Sequence, residues 1–206
     1  MLKVSGHIIL SQALFGGRKM KRVKPGPGLH VIIGCVRAGK TEAIISLVRL
    51  YEIAGLDILK VKPVQDTRSG AEFWSRNGTA VEAVIVTSPD EIFKLVKKRH
   101  KIIAIDEVQF FDECLLSVVE KLILAGKYVI VAGLNLDWRG RPFSTSAGLM
   151  AMATEEIDFR QAVCMTCGSL HANRSRRTTL NKETVEVGFN YEPQCIRCFV
   201  PPLDET

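Results

Sequence analysis

The chain has 206 residues, 47% apolar and 24% charged, the balance of an ordinary globular protein with room for one main domain and a small appendage. No apolar run approaches the roughly 20 residues that span a bilayer, which excludes a transmembrane protein. The net charge of +6 resides wholly in residues 1–28, where Lys3, Arg18, Lys19, Lys21, Arg22 and Lys24 occur without an acid, so the neutral remainder gives no charge argument for nucleic-acid binding.

Residues 1–28 come first. Their apolar stretch Ile8–Phe15 is short and interrupted by Ser11 and Gln12, a poor secretory signal. We expect a flexible basic extension on a cytoplasmic protein, with an organellar leader as the alternative. The breaker cluster Pro25-Gly26-Pro27-Gly28 then opens the folded part. Leu29–Ile33 has the length and composition of a buried strand, Glu42–Ala54 has helical periodicity, and Ile58–Val61 reads as a second strand. Residues 65–80 are polar and predict a loop with limited helix or strand content. Val81–Val86 suits a strand and Pro89–His100 an amphipathic helix. Ile102–Ile105 is a strand ending in Asp106-Glu107, Glu113–Ala125 a helix stopped by Gly126, and Tyr128–Ala132 a strand ending at Gly133. Ala147–Met152 begins another helix. Alternating elements with continuous apolar strands predict an α/β fold, a parallel sheet covered by helices on both faces. The boundaries expected are 1–28 for the extension, 29–160 for the α/β domain and 161–206 for a smaller module.

Gly34-Cys35-Val36-Arg37-Ala38-Gly39-Lys40-Thr41 fits G-x-x-x-x-G-K-[ST], with a strand before it and a helix after. Such a loop turns successive backbone N–H groups onto phosphate oxygens at a helix N-terminus. Lys40 is placed to neutralise the β- and γ-phosphates of ATP, and the Thr41 hydroxyl to ligate Mg²⁺. Asp106 and Glu107 close an apolar strand, and in a parallel sheet such ends face the ligand crevice. We expect Asp106 to help hold Mg²⁺ and Glu107 to accept the proton of an attacking hydroxyl. Read alone, the pair is equally a solvated turn.

Cys164/Cys167 and Cys195/Cys198 form two Cys-x-x-Cys pairs 27 residues apart, while Cys35 and Cys114 stand alone. Four thiolates suit a closed tetrahedral site for structural Zn²⁺, with two disulfides as the alternative. The spacing exceeds that of an ordinary zinc ribbon, so the metal would pin the base of an extended loop.

With these motifs in order, the chain resembles the thymidine kinases of the cellular and bacterial type, which carry a zinc-bound lasso. The resemblance runs from Gly28 to Phe199. It rests on the phosphate loop, on Lys62-Pro-Val-Gln-Asp66-Thr67-Arg68, on Ser75-Arg76-Asn77-Gly78, on Asp106-Glu107-Val108-Gln109-Phe110-Phe111, on Gly133-Leu-Asn-Leu-Asp137-Trp-Arg139-Gly140-Arg-Pro142-Phe143, and on Tyr191 placed four residues before Cys195. It implies a P-loop NTPase-like sheet with a small zinc-ribbon-like lasso domain. It implies transfer of the ATP γ-phosphate to the 5′-hydroxyl of thymidine, with Glu107 as base. Asp106 and Gln109 would lie around the nucleotide and metal, and Asp66 and Arg68 would face the triphosphate. Phe110 and Phe143 would pack on the thymine, with Val185, Glu186, Val187, Gly188 and Tyr191 closing over it. The resemblance further implies a homotetramer, inhibition by dTTP, and no membrane or nucleic-acid partner.

The sequence departs from the family at three places. Cys35-Val36-Arg37 replaces the usual loop interior, Glu42 replaces a second hydroxyl, and the lasso is shorter before Tyr191. The alternatives are a kinase of another deoxynucleoside, a family member that binds nucleotides without turnover, and a zinc-ribbon nucleic-acid-binding ATPase. The last rests on the basic run Arg174–Arg177. Without the motif Phe110 and Phe143 read more readily as core aromatics, and Arg68 and Arg139 have surface charges as their alternative reading.

Overall fold

A computed structural model describes residues 25–66, 70–178 and 190–201. Residues 1–24 of the basic extension, Arg68 and Val185–Gly188 lie outside them. Among the described residues the elements run β1 (Gly28–Gly34), α1 (Lys40–Ile53), β2 (Ile58–Pro63), β3 (Glu72–Trp74), β4 (Ala80–Glu82), β5 (Val84–Val86), α2 (Pro89–Leu95), β6 (Ile102–Ile105), α3 (Cys114–Leu124), β7 (Tyr128–Gly133), α4 (Ser144–Met152), β8 (Ile157–Arg160), β9 (Arg174–Arg177) and β10 (Tyr191–Gln194). No helix among them is long and apolar enough to cross a membrane.

Six strands form one sheet in the order β5-β2-β6-β7-β1-β8, and every pairing in it is parallel. β1, β6 and β7 are buried along their whole length, which is why they read as unbroken apolar runs. Alternate side chains feed two cores. Val31, Ile33, Ile103, Ile105, Val129 and Val131 meet Ile92 of α2, Leu115, Val118, Val119 and Leu122 of α3, and Leu149 of α4. Ile32, Ala104, Ile130 and Ala132 point the other way, onto Ile44, Ile45 and Val48 of α1 and Phe73 of β3. The buried residues of α3 recur at i, i+3, i+4 and i+7, the stripe an amphipathic helix needs. Both α1 and α3 stop at a glycine with positive φ, Gly55 at 76° and Gly126 at 78°, whose N–H turns back onto the last helical turn.

Several boundaries differ from expectation. The helix expected over Pro89–His100 ends at Leu95, with Val96 extended. The chain has to return into β6, and Lys127 fixes that return by donating to the carbonyls of His100 (2.8 Å) and Lys97 (3.4 Å). The strand expected over Val81–Val86 is two strands. Ala80–Glu82 pairs antiparallel with β3 as a hairpin, while Val84–Val86 joins the main sheet beside β2. The hairpin supplies the limited strand content expected in residues 65–80. It packs through Phe73, 1% exposed, against the α1 core. The fourth helix starts at Ser144, three residues earlier than read.

Beyond β8 the chain turns back, and β9 pairs antiparallel with β10. This lobe has its own small core of Cys164, Ala162, Ala172 and Cys195, and Cys35 and Ala38 of the phosphate loop belong to it.

Candidate active site

β1 delivers Gly34 into the loop that ends where α1 begins, at Lys40. Gly34 has to be glycine, because a Cβ there would lie 2.2 Å from the Arg160 carbonyl oxygen. Gly39 (φ 73°) and Arg37 (φ 60°) are both left-handed. A non-glycine residue persists in that region only where its surroundings hold it. The loop thus wraps the N-terminus of α1, where unpaired N–H groups and the helix dipole attract an anion.

The holding contacts are specific. Lys40 Nζ donates across the loop to the Cys35 carbonyl at 2.7 Å. Arg160 Nε donates to the Ala38 carbonyl at 3.2 Å, and Asp158 pairs with its Nη1 at 3.1 Å. The Cys35 side chain turns away from the loop interior. Its Sγ donates to the Ala172 carbonyl at 3.2 Å, and burial pushes the thiol pKa up against the opposing pull of Lys40, keeping the donor protonated. The Val36 N–H donates to Ser175 Oγ at 3.1 Å.

β6 delivers the carboxylates. Asp106 Oδ1 accepts the Glu107 N–H at 2.8 Å. Glu107 is itself left-handed, at φ 55°, and starts a single 3₁₀ turn, Val108–Phe110. Gln109 Nε2 donates to Glu107 Oε2, and Gln109 Oε1 accepts the Leu134 N–H at 2.9 Å. One amide side chain therefore fixes Glu107 against the end of β7. At the end of β2, Lys62 Nζ lies 2.9 Å from Asp66 Oδ2, an ion pair almost wholly buried. Lys62 also donates to the Glu72 carbonyl at 3.1 Å, tying the β3–β4 hairpin to the sheet.

The ends of β1, β6 and β7 open on a cavity of about 360 Å³, lined by Val36 to Glu42, by Glu107 and Leu134, and by Trp74, Ser75, Arg76 and Asn77 of the hairpin. Of the residues singled out from the sequence, Val36, Arg37, Ala38, Gly39, Lys40, Thr41 and Glu107 meet there. Asp106 and Gln109 support Glu107 from behind. Asp66 is held by Lys62. Phe110 and Phe143 are half-buried and lie outside that lining. Tyr191 sits in β10, its hydroxyl accepting from Arg177 Nη2 at 3.0 Å. The sequence reading missed the hairpin turn, Leu134 and Arg160 as parts of the site. Ser75-Arg76-Asn77-Gly78 stands out as a motif, which is the available signal; Arg160 carries none.

The basic run Arg174–Arg177 does not form a continuous positive face. It is β9; Ser175 and Arg177 are buried, and the Arg177 guanidinium stacks 4.5 Å over the Trp138 ring and 5.5 Å over Tyr191.

The four paired cysteines converge. Cys164, Cys167, Cys195 and Cys198 place their sulfurs within 4.8 Å of one another, as free thiols rather than two disulfides. The Cys167–Cys195 separation is 3.7 Å. A tetrahedral ion with bonds of about 2.3 Å sets sulfurs about 3.8 Å apart, so the donor set fits a metal ion.

A family model described as "Thymidine kinase" matches residues 28–199. A curated thymidine kinase from Bdellovibrio bacteriovorus is 36% identical over 179 residues, covering 85% of this chain and 87% of that protein. Among solved structures, the ATPase DotB of Legionella pneumophila is similar with a TM-score of 0.40 and 16% identity over 65% of this chain and 36% of that one. The flagellar accessory protein FlaH of Methanocaldococcus jannaschii is similar with a TM-score of 0.43 and 13% identity over 77% of this chain and 75% of that one.

Proposed function

The chain belongs to the thymidine kinase family, and from that premise we propose how its crevice moves the ATP γ-phosphate onto the 5′-hydroxyl of thymidine, giving dTMP and ADP. One observation carries the mechanism: Glu107 and the phosphate loop line the same cavity. Phosphoryl transfer needs mostly positioning and charge neutralisation. The loop amides and Lys40 cradle the triphosphate. Lys40 leaves the Cys35 carbonyl, its partner in this structure, for the β- and γ-phosphates. Glu107, held by Gln109, takes the proton of the 5′-hydroxyl as that oxygen attacks in line.

The Thr41 hydroxyl and the Asp106 carboxylate are hard oxygen donors of the kind Mg²⁺ selects. They would hold Mg²⁺ beside the triphosphate, where the ion would supply charge neutralisation. By the resemblance, Asp66 and Gln109 complete the surroundings of the triphosphate, and Phe110, Phe143 and Tyr191 those of the base; Arg68 and Val185–Gly188, assigned beside them by the same resemblance, lie outside the described residues. The four-cysteine cluster takes a structural Zn²⁺, because four thiolates leave no open position. From the resemblance we also infer a homotetramer with dTTP as feedback ligand. A cytoplasmic setting suits a cluster whose thiols must stay reduced.

The direct test is a thymidine phosphorylation assay with ATP and Mg²⁺, run beside deoxyuridine and deoxycytidine and beside DNA. Thymidine should be the preferred acceptor. DNA-stimulated ATP hydrolysis without a phosphorylated nucleoside would overturn the reading. Lys40→Ala should weaken ATP binding and lower turnover by about 10²–10³-fold, the scale of removing one fixed charge-stabilising donor. An unchanged ATP affinity would remove Lys40 from the phosphate site.

A further inference from the structure

We propose that Ser175 is a positioning residue for ATP, fastening the phosphate loop to the cysteine lobe so that the loop is ordered before the nucleotide arrives. The proposal rests on the kinase reading above and adds to it a residue from a different lobe, 139 positions away in sequence from the loop it holds.

The geometry has three parts. Ser175 is 2% exposed, and its Oγ accepts the Val36 N–H at 3.1 Å. That amide belongs to the phosphate loop yet is already satisfied by a side chain, leaving later amides of the loop for the ligand. Cys35, the residue before, is 1% exposed and donates to Ala172 at 3.2 Å, in the turn leading to β9. Arg37, the residue after Val36, is held left-handed. The backbone thus reverses immediately beyond the two tethers, and strain of that kind survives only where neighbours over-determine the conformation. With Ser175 removed, the part-buried Val36 N–H loses its side-chain acceptor, and the reversal at Arg37 loses that support.

A loop with several amides that can turn in different directions has to be ordered when it grips a triphosphate. Ordering it in advance removes that cost from binding. The consequence is selective. Loss of the tether should weaken ATP and leave the acceptor nucleoside largely alone, because Glu107 is held separately by Gln109 and the end of β7. It also makes nucleotide affinity depend on the cysteine lobe, since Ser175 lies in β9 and Cys35 packs with Cys164 and Cys195.

The test compares Ser175→Ala and Ser175→Thr with the wild type in the full chain. Three quantities are read: the Kd of a non-hydrolysable ATP analogue by calorimetry, KM for ATP and for thymidine, and kcat at saturating ATP. For Ser175→Ala we expect the analogue Kd and the ATP KM to rise about tenfold, the upper end of what one intramolecular hydrogen bond contributes. The thymidine KM and kcat should stay close to wild type, and Ser175→Thr, which keeps the hydroxyl, should recover most of the loss. An unchanged analogue Kd in Ser175→Ala would overturn the proposal. So would a uniform loss of kcat, of both KM values and of melting temperature that Ser175→Thr shares, since that describes only a weakened fold. If the wild type binds the analogue and Ser175→Ala binds it tenfold less, while neither phosphorylates thymidine, the tether stands and the kinase reading falls.

Discussion

Glu107→Gln should bind an ATP analogue as the wild type does and lose about 10²–10⁴-fold in kcat, the range that a positioned general base contributes. The substitution is close to isosteric. It keeps the left-handed position at φ 55° and a side-chain oxygen able to accept from Gln109 Nε2. What disappears is the ability to take a proton. Rapid-quench single-turnover measurements with ATP and thymidine separate this loss from product release. Turnover within a few fold of wild type would mean that the carboxylate acts only as a charge near the metal, or that another group receives the proton. An equally large fall in analogue affinity would instead place Glu107 in nucleotide binding.

The strain at Glu107 bears on why the base can work. A glutamate with positive φ costs about 1–3 kcal/mol and is retained only under external constraint. Here the constraint is a closed circuit. The Glu107 N–H goes to Asp106, its carboxylate receives Gln109, and Gln109 receives the Leu134 N–H from the neighbouring strand. The sharp turn out of β6 lifts Glu107 into the cavity, while Asp106, 4% exposed, stays at the strand end. Two adjacent carboxylates thereby acquire different surroundings, which is the condition for giving them different roles.

Local signals carried the phosphate loop and both carboxylates. A glycine-punctuated loop between a strand and a helix belongs at a strand end at the mouth of a parallel sheet, and beside it an apolar run that stops at two acids reads the same way rather than as a solvated turn. The cysteine cluster was equally legible, because paired thiols in one chain have few other uses. Partners supplied over long distances were not legible. Lys62 could be read only as part of a motif, yet it is 1% exposed and holds both Asp66 and the Glu72 carbonyl. Arg160 and Ser175 reach the loop across 122 and 139 residues, and no periodicity in one sequence encodes such pairings. The shortened second helix failed for the same reason. Its own residues favour continuation, and Lys127 from another element decides where the chain turns. The edge strand Ile157–Arg160 was missed because its exposed Ile157 and Phe159 alternate with Asp158 and Arg160, so no continuous apolar run announces it.

Removing the metal should produce the largest structural effect. In small structural zinc sites, binding provides about 10–16 kcal/mol of folding free energy, comparable with the whole stability of a typical domain. Among the described residues, the lobe beyond Arg160 has only a small apolar core to hold it. Its small core is built largely of cysteines and alanines, and its strands β9 and β10 are four residues each. The parallel sheet has two aliphatic cores of its own. Cys164→Ser, or stripping by a strong chelator, should therefore unfold the lobe and leave the sheet standing. Hydrogen exchange is the suitable measurement, with zinc content read by elemental analysis. Protection should be lost in β9, in β10 and around Ala162 and Ala172, and kept in β1, β6 and β7. The phosphate loop should lie between these extremes, because Cys35 and Ala38 pack into the lobe while Gly34 and Lys40 belong to the sheet and its first helix. Thymidine phosphorylation should fall with it and return when zinc is restored to the stripped wild type but not to Cys164→Ser. Wild-type protein that purifies without about one zinc per chain, or a Cys164→Ser variant with unaltered exchange in the lobe, would show that the four thiols are held together by packing alone.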